Sequence, residues 1–357
     1  MKERINWIDW AKAIAVCSVV FCHLPQSQEW FYYRYMQATT ITVFFFVSGY
    51  LKKDHGSTSA NWKRYYSGLI VPYLLYNAII YPYWFIRFYM QHGGIPNLFT
   101  AIKPIIGAIL LEHENAFAEP LNGPLWYLPA ILIMHLIIDG CRKTRHLHLI
   151  MIGLCIVSYF LYAANKEYEF LPNLTPMGLF RRLPYYYLGY IMGPWRKENH
   201  GDRSMIARYE RIKRPVPMIL CTLILLAISL FFFEWHLHED RILAHAALFY
   251  PVNLGLLFAL LCFCKLIDRW HWSFITNLSI GTLVIIGLHI VPIGIINFMK
   301  DLYFGIGEGF SYYWYEALLI TIVIITLLYP IILFAERHAP MLIGKNKSFN
   351  YGTDPTK

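Results

Sequence analysis

Charged residues are scarce in this sequence. Asp, Glu, Lys and Arg together make up 15% of its 357 residues, whereas hydrophobic residues make up 57%. A soluble protein carries roughly a quarter charged residues, and no long polar stretch interrupts the apolar ones here. The composition therefore excludes a large soluble domain and indicates a polytopic membrane protein. The net charge of +9 requires no nucleic-acid partner, because basic cytoplasmic loops produce the same excess.

Three common sequence signals are also missing. The seven cysteines lie mostly in apolar runs and show neither metal nor disulfide spacing, so we interpret them as small core residues and expect no metal site. The first apolar run is too long for a cleavable signal peptide and lacks a small-residue cleavage site, so we expect it to remain as an anchor. No clear internal repeat, of the kind that many transporters contain, is visible.

Apolar runs recur along the whole chain, most of them about 17–25 residues long, the length that crosses ~30 Å of hydrocarbon. We predict an all-α, polytopic integral membrane protein with about ten transmembrane helices. A shorter run, 98–112, contains Lys103 and Pro104 and is predicted to be an interfacial or re-entrant helix. Residues 1–340 are predicted to form a single transmembrane domain, and 341–357 a short polar cytoplasmic tail. The predicted spans are 6–24, 37–51, 68–90, 124–140, 147–163, 178–194, 215–234, 244–264, 274–296 and 313–335.

Lysine and arginine fall mainly in alternate loops. If the N-terminus is cytoplasmic, most of the 31 basic residues lie in cytoplasmic segments and few lie in outer ones. Short cytoplasmic loops of membrane proteins carry such an excess. The distribution therefore predicts that both termini are cytoplasmic.

Three ionisable residues lie in the first apolar run. Lys12 and His23 are three helical turns apart, so they share one face and lie ~16 Å apart along the axis. Asp9 falls within ~40° of the same stripe, and we expect it to pair with Lys12 near the inner surface. Ionisable groups inside a membrane normally face a protein interior or a water-filled cavity. Two simpler interpretations stay open, an interfacial anchor pair at Asp9 and Lys12 and a hydrogen-bonded helix-end histidine at position 23.

Five characteristic segments occur in order along the chain: "WIDWAKAIAVCSVVFCH" (7–23), "TVFFFVSGYLKK" (42–53), "GPLWYLPAIL" (123–132), "YYYLGYIMG" (185–193) and "SIGTLVIIGLHIV" (279–291). Together they resemble the membrane acyltransferase 3 family, in which a basic residue, ten intervening residues and a histidine mark the first span. Lys12 and His23 meet that spacing. The resemblance covers nearly the whole chain and is strongest to stand-alone sugar O-acetylases.

The resemblance implies an enzyme of the bacterial inner membrane. It would move an acyl group, usually acetyl, from cytoplasmic acyl-CoA to a hydroxyl of a cell-envelope glycan or lipid-linked sugar, with no bound cofactor. A different class also fits the composition, a transporter or flippase for a glycan or lipid, since such proteins contain intramembrane charges and basic inner loops. A third interpretation is a membrane scaffold in which the polar stripe of the first span is dispensable.

The resemblance also implies catalytic roles for the polar stripe. His23 would act as the base that takes a proton from the acceptor hydroxyl, or as a transient acyl carrier. Lys12 would line the donor channel or offset the negative charge of CoA, and Asp9 would orient Lys12. His289 matches the late histidine of the family and would face the same cavity, although a packing histidine is an open alternative.

Substrate-binding roles follow in the same way. Lys63 and Arg64 would hold the phosphates of CoA, although Ser and Gly stand at positions 67 and 68, near where family members commonly have an arginine pair. Arg181 and Arg182 would contact a phosphate or carboxylate of the acceptor, and Trp126 would stack on a sugar. The alternatives are positive-inside topology for the basic loop, outer snorkelling anchors for the two arginines, and an interfacial aromatic belt for Trp126.

Overall fold

The computed structural model describes residues 4–26, 31–53, 57–110, 121–168, 181–193, 215–237, 242–304 and 310–345. Every regular element within these ranges is a helix, which confirms the predicted all-α class. The α-helices are α1 (Asn6–His23), α2 (Phe31–Tyr50), α3 (Thr58–Tyr65), α4 (Val71–His92), α5 (Leu98–Ile109), α6 (Tyr127–Cys141), α7 (Leu147–Tyr168), α8 (Leu183–Met192), α9 (Pro215–Leu237), α10 (Ile242–Leu266), α11 (Ser273–Ile280), α12 (Thr282–Leu288), α13 (Ile290–Phe304) and α14 (Trp314–His338).

Three short turns complete the helical structure. A π-helical turn, Tyr66–Ile70, joins α3 to α4, so that Thr58–His92 is one continuous helical segment. The 3-10 turn Gly123–Trp126 leads directly into α6. A second 3-10 turn, Pro340–Ile343, follows α14, and the hydroxyl of Tyr76 donates to the carbonyl of Leu342 there at 2.8 Å. The division at residue 340 stays a prediction, because most of the predicted tail lies outside the described residues.

Six helical segments in the described part of the chain are long and apolar enough to cross a membrane. They coincide with the third, fourth and seventh to tenth predicted spans, so a multi-pass membrane protein is supported, whereas the count of ten and the orientation stay predictions. A short helix, α5, is present where the interfacial or re-entrant helix is predicted, and its position relative to the membrane stays a prediction. The six segments are Thr58–His92, Gly123–Cys141, Pro215–Phe232, Leu248–Leu266, Thr282–Tyr303 and Trp314–His338.

Helix α8 covers only part of the predicted sixth span. The sequence predicts a full span over 178–194, but α8 has only 10 residues, about 15 Å at the rise of an α-helix. Pro184 lies in its first turn, where the fixed φ of proline favours a helix start. Residues 178–180 of the predicted span lie outside the described part of the chain.

Helix α1 lies at the centre of the bundle. It contacts α2, α10, α11, α12 and α14, and most of its residues, including Asp9, are buried. The rings of Trp7 and Tyr50 are 5.4 Å apart at one end, and those of Phe21 and Tyr32 are 6.0 Å apart at the other, so α1 and α2 are antiparallel. Because α1 faces protein on nearly every side, it tolerates polar residues that a lipid-facing helix would not.

Helices α2 and α8 approach each other closely at Gly49. A Cβ atom at Gly49 would overlap the carbonyl of Tyr186, and one at Gly189 would overlap the carbonyl of Phe46. Small residues allow helix backbones to approach closely in membranes. The crossing positions the N-terminus of α8, where the predicted arginine pair lies.

The predicted ninth span is broken into three helices. Gly281 separates α11 from α12, and His289 separates α12 from α13. The α11–α12 segment runs beside α1, because Ser279 contacts Lys12 and His289 contacts His23. One broken segment therefore follows the whole polar stripe of α1.

Candidate active site

The C-terminal end of α1 brings His23 beside His289. The Nε2 atom of His289 is 3.3 Å from the Nδ1 atom of His23, and the ring centroids are 4.9 Å apart. His289 is fully buried, whereas His23 is exposed. Two predicted site residues that are 266 positions apart in the chain thus meet in one site.

Backbone carbonyls fix where the two imidazole protons lie. Nδ1 of His289 is 2.7 Å from the carbonyl oxygen of Ile285 and 3.1 Å from that of Ile286, so it carries the hydrogen that it donates. Nε2 of neutral His289 then accepts from Nδ1–H of His23, which also lies 2.8 Å from the carbonyl oxygen of Val19. With Nδ1 protonated, neutral His23 has its lone pair at Nε2, which hydrogen-bonds to no described residue. This tautomer makes Nε2 of the exposed histidine a proton acceptor.

Side chains bind the last carbonyl groups of α1 and α12, which have no partner within their own helices. Nε2 of Gln26 donates to the carbonyl of Phe21 at 2.6 Å. Nδ2 of Asn122 donates to the carbonyl of Gly287 at 2.7 Å. These bonds hold both helix ends in place, so packed backbone positions the two histidine rings.

The prediction of a direct ion pair between Asp9 and Lys12 is wrong. Arg4 instead donates to both carboxylate oxygens of Asp9, from Nε to Oδ2 at 3.0 Å and from Nη2 to Oδ1 at 2.8 Å. The planar guanidinium matches two carboxylate oxygens at once, which an ammonium group cannot do. Lys12 donates to the backbone carbonyl of Ser279 at 2.6 Å, and the hydroxyl of Ser279 donates to Asp9 at 2.6 Å. Ser279 therefore links Asp9 and Lys12.

Trp126 and the arginine pair form a second group of predicted site residues. The guanidinium carbon of Arg182 lies 5.8 Å from the ring centre of Trp126, and that of Arg181 lies 4.9 Å from the ring centre of Phe249. Both are distances at which a cation is attracted to an aromatic ring. The structure thus brings together Trp126 and Arg182, both of which are predicted to contact the acceptor.

This group lies part-way along α2 and not at its end. The ring of Trp126 is 5.9 Å from that of Phe45. Gly189 of α8 packs at Phe46, and α8 runs in the same direction as α2. Arg182 precedes Gly189 by seven residues, about 10 Å along the axis, so it lies near the middle of α2.

Two tyrosines near the arginine pair were not singled out by the sequence. The rings of Tyr185 and Tyr250 are 5.8 Å apart, and their buried hydroxyls have no hydrogen-bond partner among the described residues. An unsatisfied buried hydroxyl costs about 1–3 kcal/mol, so both are available to a polar group of a bound molecule. Tyr185 lies in the family-like segment 185–193, and this resemblance was the feature of the sequence that could have indicated a functional role for it.

Lys63 and Arg64 do not join the histidine site. They lie on α3, which follows the C-terminus of α2. That end of α2 contacts the N-terminus of α1, whereas His23 lies at the C-terminus of α1. Both side chains are exposed. Their neighbour Tyr65 is buried and donates to Asp139 at 2.5 Å, so α3 directs its basic residues away from the bundle.

A buried ion pair at the same end was missed from the sequence. Lys52 Nζ lies 2.8 Å from Asp139 Oδ1, and the side chains are only 4% and 17% exposed. Tyr65 hydrogen-bonds to both residues, and its ring stacks on His135 with centroids 5.0 Å apart. His135 in turn hydrogen-bonds to the hydroxyl of Tyr186. The signal was an aspartate within a predicted span, since such residues normally have a partner or a function.

These observations define a multi-pass, all-helical membrane protein with a histidine pair at one end of its central helix. No group of three or more His, Cys, Asp or Glu residues in the described ranges is arranged to hold a metal ion. The family model described as an acyltransferase domain matches residues 5–336, so the chain belongs to the acyltransferase 3 family. No curated protein and no solved structure matches the chain.

Proposed function

We propose that this protein is an integral membrane O-acyltransferase. It transfers an acyl group, acetyl in the simplest case, from cytoplasmic acyl-CoA to a hydroxyl of a cell-envelope glycan or lipid-linked sugar in the bacterial inner membrane. Family membership supports acyl transfer in general. The observation that carries the proposal is the position of His23 Nδ1 between the carbonyl of Val19 and Nε2 of His289, which leaves Nε2 of the exposed histidine as the proton acceptor.

In this proposal Nε2 of His23 takes the proton of the acceptor hydroxyl as the oxygen attacks the thioester carbonyl. A new ester C–O bond forms and the C–S bond breaks. The proton on His23 then passes to the departing thiolate, so the products are the acylated acceptor and free CoA. A positioned histidine is suited to this work because its proton exchange falls near neutral pH.

His289 acts through His23 and is a positioning residue. It shares the Nδ1 hydrogen of His23 with the carbonyl of Val19, and both acceptors favour the tautomer with Nε2 unprotonated in the resting enzyme. When His23 takes a second proton, the lone pair on His289 faces the new positive charge. The buried carboxylate that orients the histidine of serine proteases has the same two effects.

Substrate binding is divided between two groups of residues. Lys12, held by Ser279, lines the path of the donor and offsets its negative charge. Trp126 and Arg182 contact the acceptor, the tryptophan against a sugar ring and the arginine against an anionic group. The unpaired hydroxyls of Tyr185 and Tyr250 are additional hydrogen-bond partners for it.

The test is acyl transfer from labelled acyl-CoA in membranes, normalised to inserted protein. His23→Gln is expected to lower the rate by about 10²–10⁴-fold, the usual effect of losing a general base. His92→Gln is the matched control, because His92 is also an exposed helix-end histidine whose Nδ1 lies 3.1 Å from the carbonyl four residues earlier. Transfer at the native rate by His23→Gln would contradict the mechanism.

The assay also separates the transporter interpretation. A transporter would move a glycan or lipid across the membrane with no label passing from acyl-CoA to it. Mass spectrometry of envelope glycans from cells with and without the protein then decides between the two classes. Identical O-acyl content would count against the acyltransferase.

A further inference from the structure

A large cavity lies at the N-terminal end of α1, opposite the histidine pair. Its volume is about 1180 Å³. The N-terminus of α1, the start of α9 and the turn between α10 and α11 enclose it, and none of the sequence-predicted site residues lines it. The lining residues that carry the argument are Arg4, Trp7, Lys265, Arg269, Trp270 and His271.

The turn that borders this cavity is held rigidly against α1. Nδ2 of Asn6 donates to the carbonyl of Asp268, and to that of Trp270 at 3.0 Å. Nε1 of Trp10 donates to the same Trp270 carbonyl at 3.0 Å. Backbone bonds therefore fix the turn, while the side chains of Arg269 and Trp270 are exposed. Both side chains are therefore accessible to a ligand, and the turn that bears them has a fixed position.

The charges in the cavity leave one arginine without a carboxylate. Arg4 binds Asp9, and Lys265 lies 2.9 Å from Asp268. Arg269 has no carboxylate within salt-bridge distance among the described residues, and its guanidinium lies 5.5 Å from the ring centre of Trp270. A guanidinium beside an exposed aromatic ring is suited to a ligand that has both phosphate groups and a flat ring.

Hydrogen bonds link the lining of the cavity to the polar stripe of α1. Arg4 lines the cavity and holds Asp9, which accepts from Ser279, whose carbonyl accepts from Lys12. A chain of hydrogen-bonded polar groups thus leads from the cavity into the bundle. From there α1 leads to His23, with about 26 Å along the axis between its first and last residues.

We propose that this cavity binds the phosphoadenosine headgroup of the CoA donor, with Arg269 on a phosphate and Trp270 against the adenine ring. The proposal rests on the proposed function, because it takes acyl-CoA as the donor. The acyl-bearing arm then extends along α1, past Lys12, toward the histidines. The headgroup site is therefore this cavity and not the α3 surface with Lys63 and Arg64.

The chemistry that recognises a phosphate is shared with an anionic lipid headgroup, and basic residues beside exposed tryptophans also occur at membrane surfaces. The adenine ring distinguishes the two sources. The experiment therefore measures binding of labelled CoA to the purified full-length protein in nanodiscs of zwitterionic phosphatidylcholine, with adenosine 3′,5′-bisphosphate as competitor. A second set of nanodiscs contains phosphatidylglycerol.

Arg269→Gln is expected to raise the Kd for CoA by about tenfold or more, since hydrogen bonds to charged groups are among the stronger ones. Trp270→Leu should weaken competition by the bisphosphate. Arg337→Gln is the control, because Arg337 is exposed in the last turn of α14 and does not line the cavity. It should leave CoA binding unchanged, and so should the Lys63→Gln and Arg64→Gln double variant.

Each of the following outcomes would overturn the proposal. Native CoA affinity in Arg269→Gln and Trp270→Leu, or a loss confined to the Lys63 and Arg64 double variant, would place the headgroup elsewhere. If Arg269→Gln lost only retention of phosphatidylglycerol, the cavity would be a lipid site. Failure of the native protein both to bind CoA and to transfer acyl groups would remove the proposed function as well. If the native protein transferred acyl groups and Arg269→Gln bound CoA with native affinity, only the proposed headgroup site would be contradicted.

Discussion

Replacing His289 by Phe tests how the histidine pair works. The substitution keeps an aromatic ring in a fully buried site and removes both ring nitrogens. Nδ1–H of His23 retains the carbonyl of Val19 at 2.8 Å, so His23 keeps the tautomer that leaves Nε2 free. What is lost is the acceptor at 3.3 Å, which matters most when His23 carries a second proton.

The expected magnitude follows from that difference. A neutral hydrogen bond contributes about 0.5–1.5 kcal/mol and one to a charged group about 1.5–3 kcal/mol. Only the excess in the transition state, about 1–1.5 kcal/mol, accelerates the chemical step. At about 1.4 kcal/mol per factor of ten, His289→Phe should lower kcat about tenfold. His289 touches neither substrate in the proposed arrangement, so KM should stay near its native value.

The assay is initial-rate acyl transfer in membranes at varied acyl-CoA, normalised to inserted protein. His92→Phe is the control and should behave as the native enzyme. His289→Gln, which can offer a carbonyl oxygen to His23, should recover part of the rate. A native rate in His289→Phe would show that the contact is not used. A loss as large as that of His23→Gln would show that His289 itself takes the proton, which contradicts the division of roles.

Two further predictions concern orientation and packing. In a cysteine-free background, Ile95→Cys should react with an impermeant thiol reagent from outside and Ser59→Cys should not; the reverse pattern would put the basic α3 surface outside the cell. Gly49→Ala should destabilise the detergent-solubilised protein by about 1–3 kcal/mol, because the added methyl overlaps a backbone carbonyl, whereas Gly153→Ala, with open space around it, should be neutral or stabilising. Equal thermal unfolding of the two glycine variants would mean that the α2–α8 crossing contributes nothing.

The helical period was enough to place Lys12 and His23 on one face, because it depends only on spacing within one helix. Their partners could not be read in the same way. Ser279 and His289 lie more than 260 positions away, and nothing local specifies which distant segment packs against α1. The family-like segment around His289 was the only indication of that neighbour.

Local chemistry was misjudged at Asp9. The spacing allowed a pair with Lys12, but Arg4 also lies within reach and offers two parallel hydrogen bonds to the carboxylate. Bidentate geometry decides such a competition, and it depends on backbone positions that a sequence does not reveal. The cavity behind Arg4 was invisible for the same reason, since its walls come from three separate parts of the chain.

Hydropathy placed the ends of several helices closely. The strongly apolar α14 was predicted over 313–335 and spans Trp314–His338. Helix α1 was predicted over 6–24 and spans Asn6–His23, although its polar residues keep it out of the described segments that are apolar enough to cross a membrane. Hydropathy did not indicate which helices would enclose those polar residues.

The central position of α1 has a consequence for how the protein is made. Its first residues leave the ribosome long before the segments that will enclose them, because Asn6, Lys12 and His23 contact residues 262–267 positions later. At about 5–20 residues per second, synthesis of that length takes roughly 13–53 s. During that time Arg4 can already neutralise Asp9, whereas Lys12 has no Ser279 and His23 has no His289. A nascent chain that stops before residue 279 therefore lacks both partners and leaves the ammonium group of Lys12 without its carbonyl acceptor, so α1 reaches its final environment only when the last third of the chain has been made.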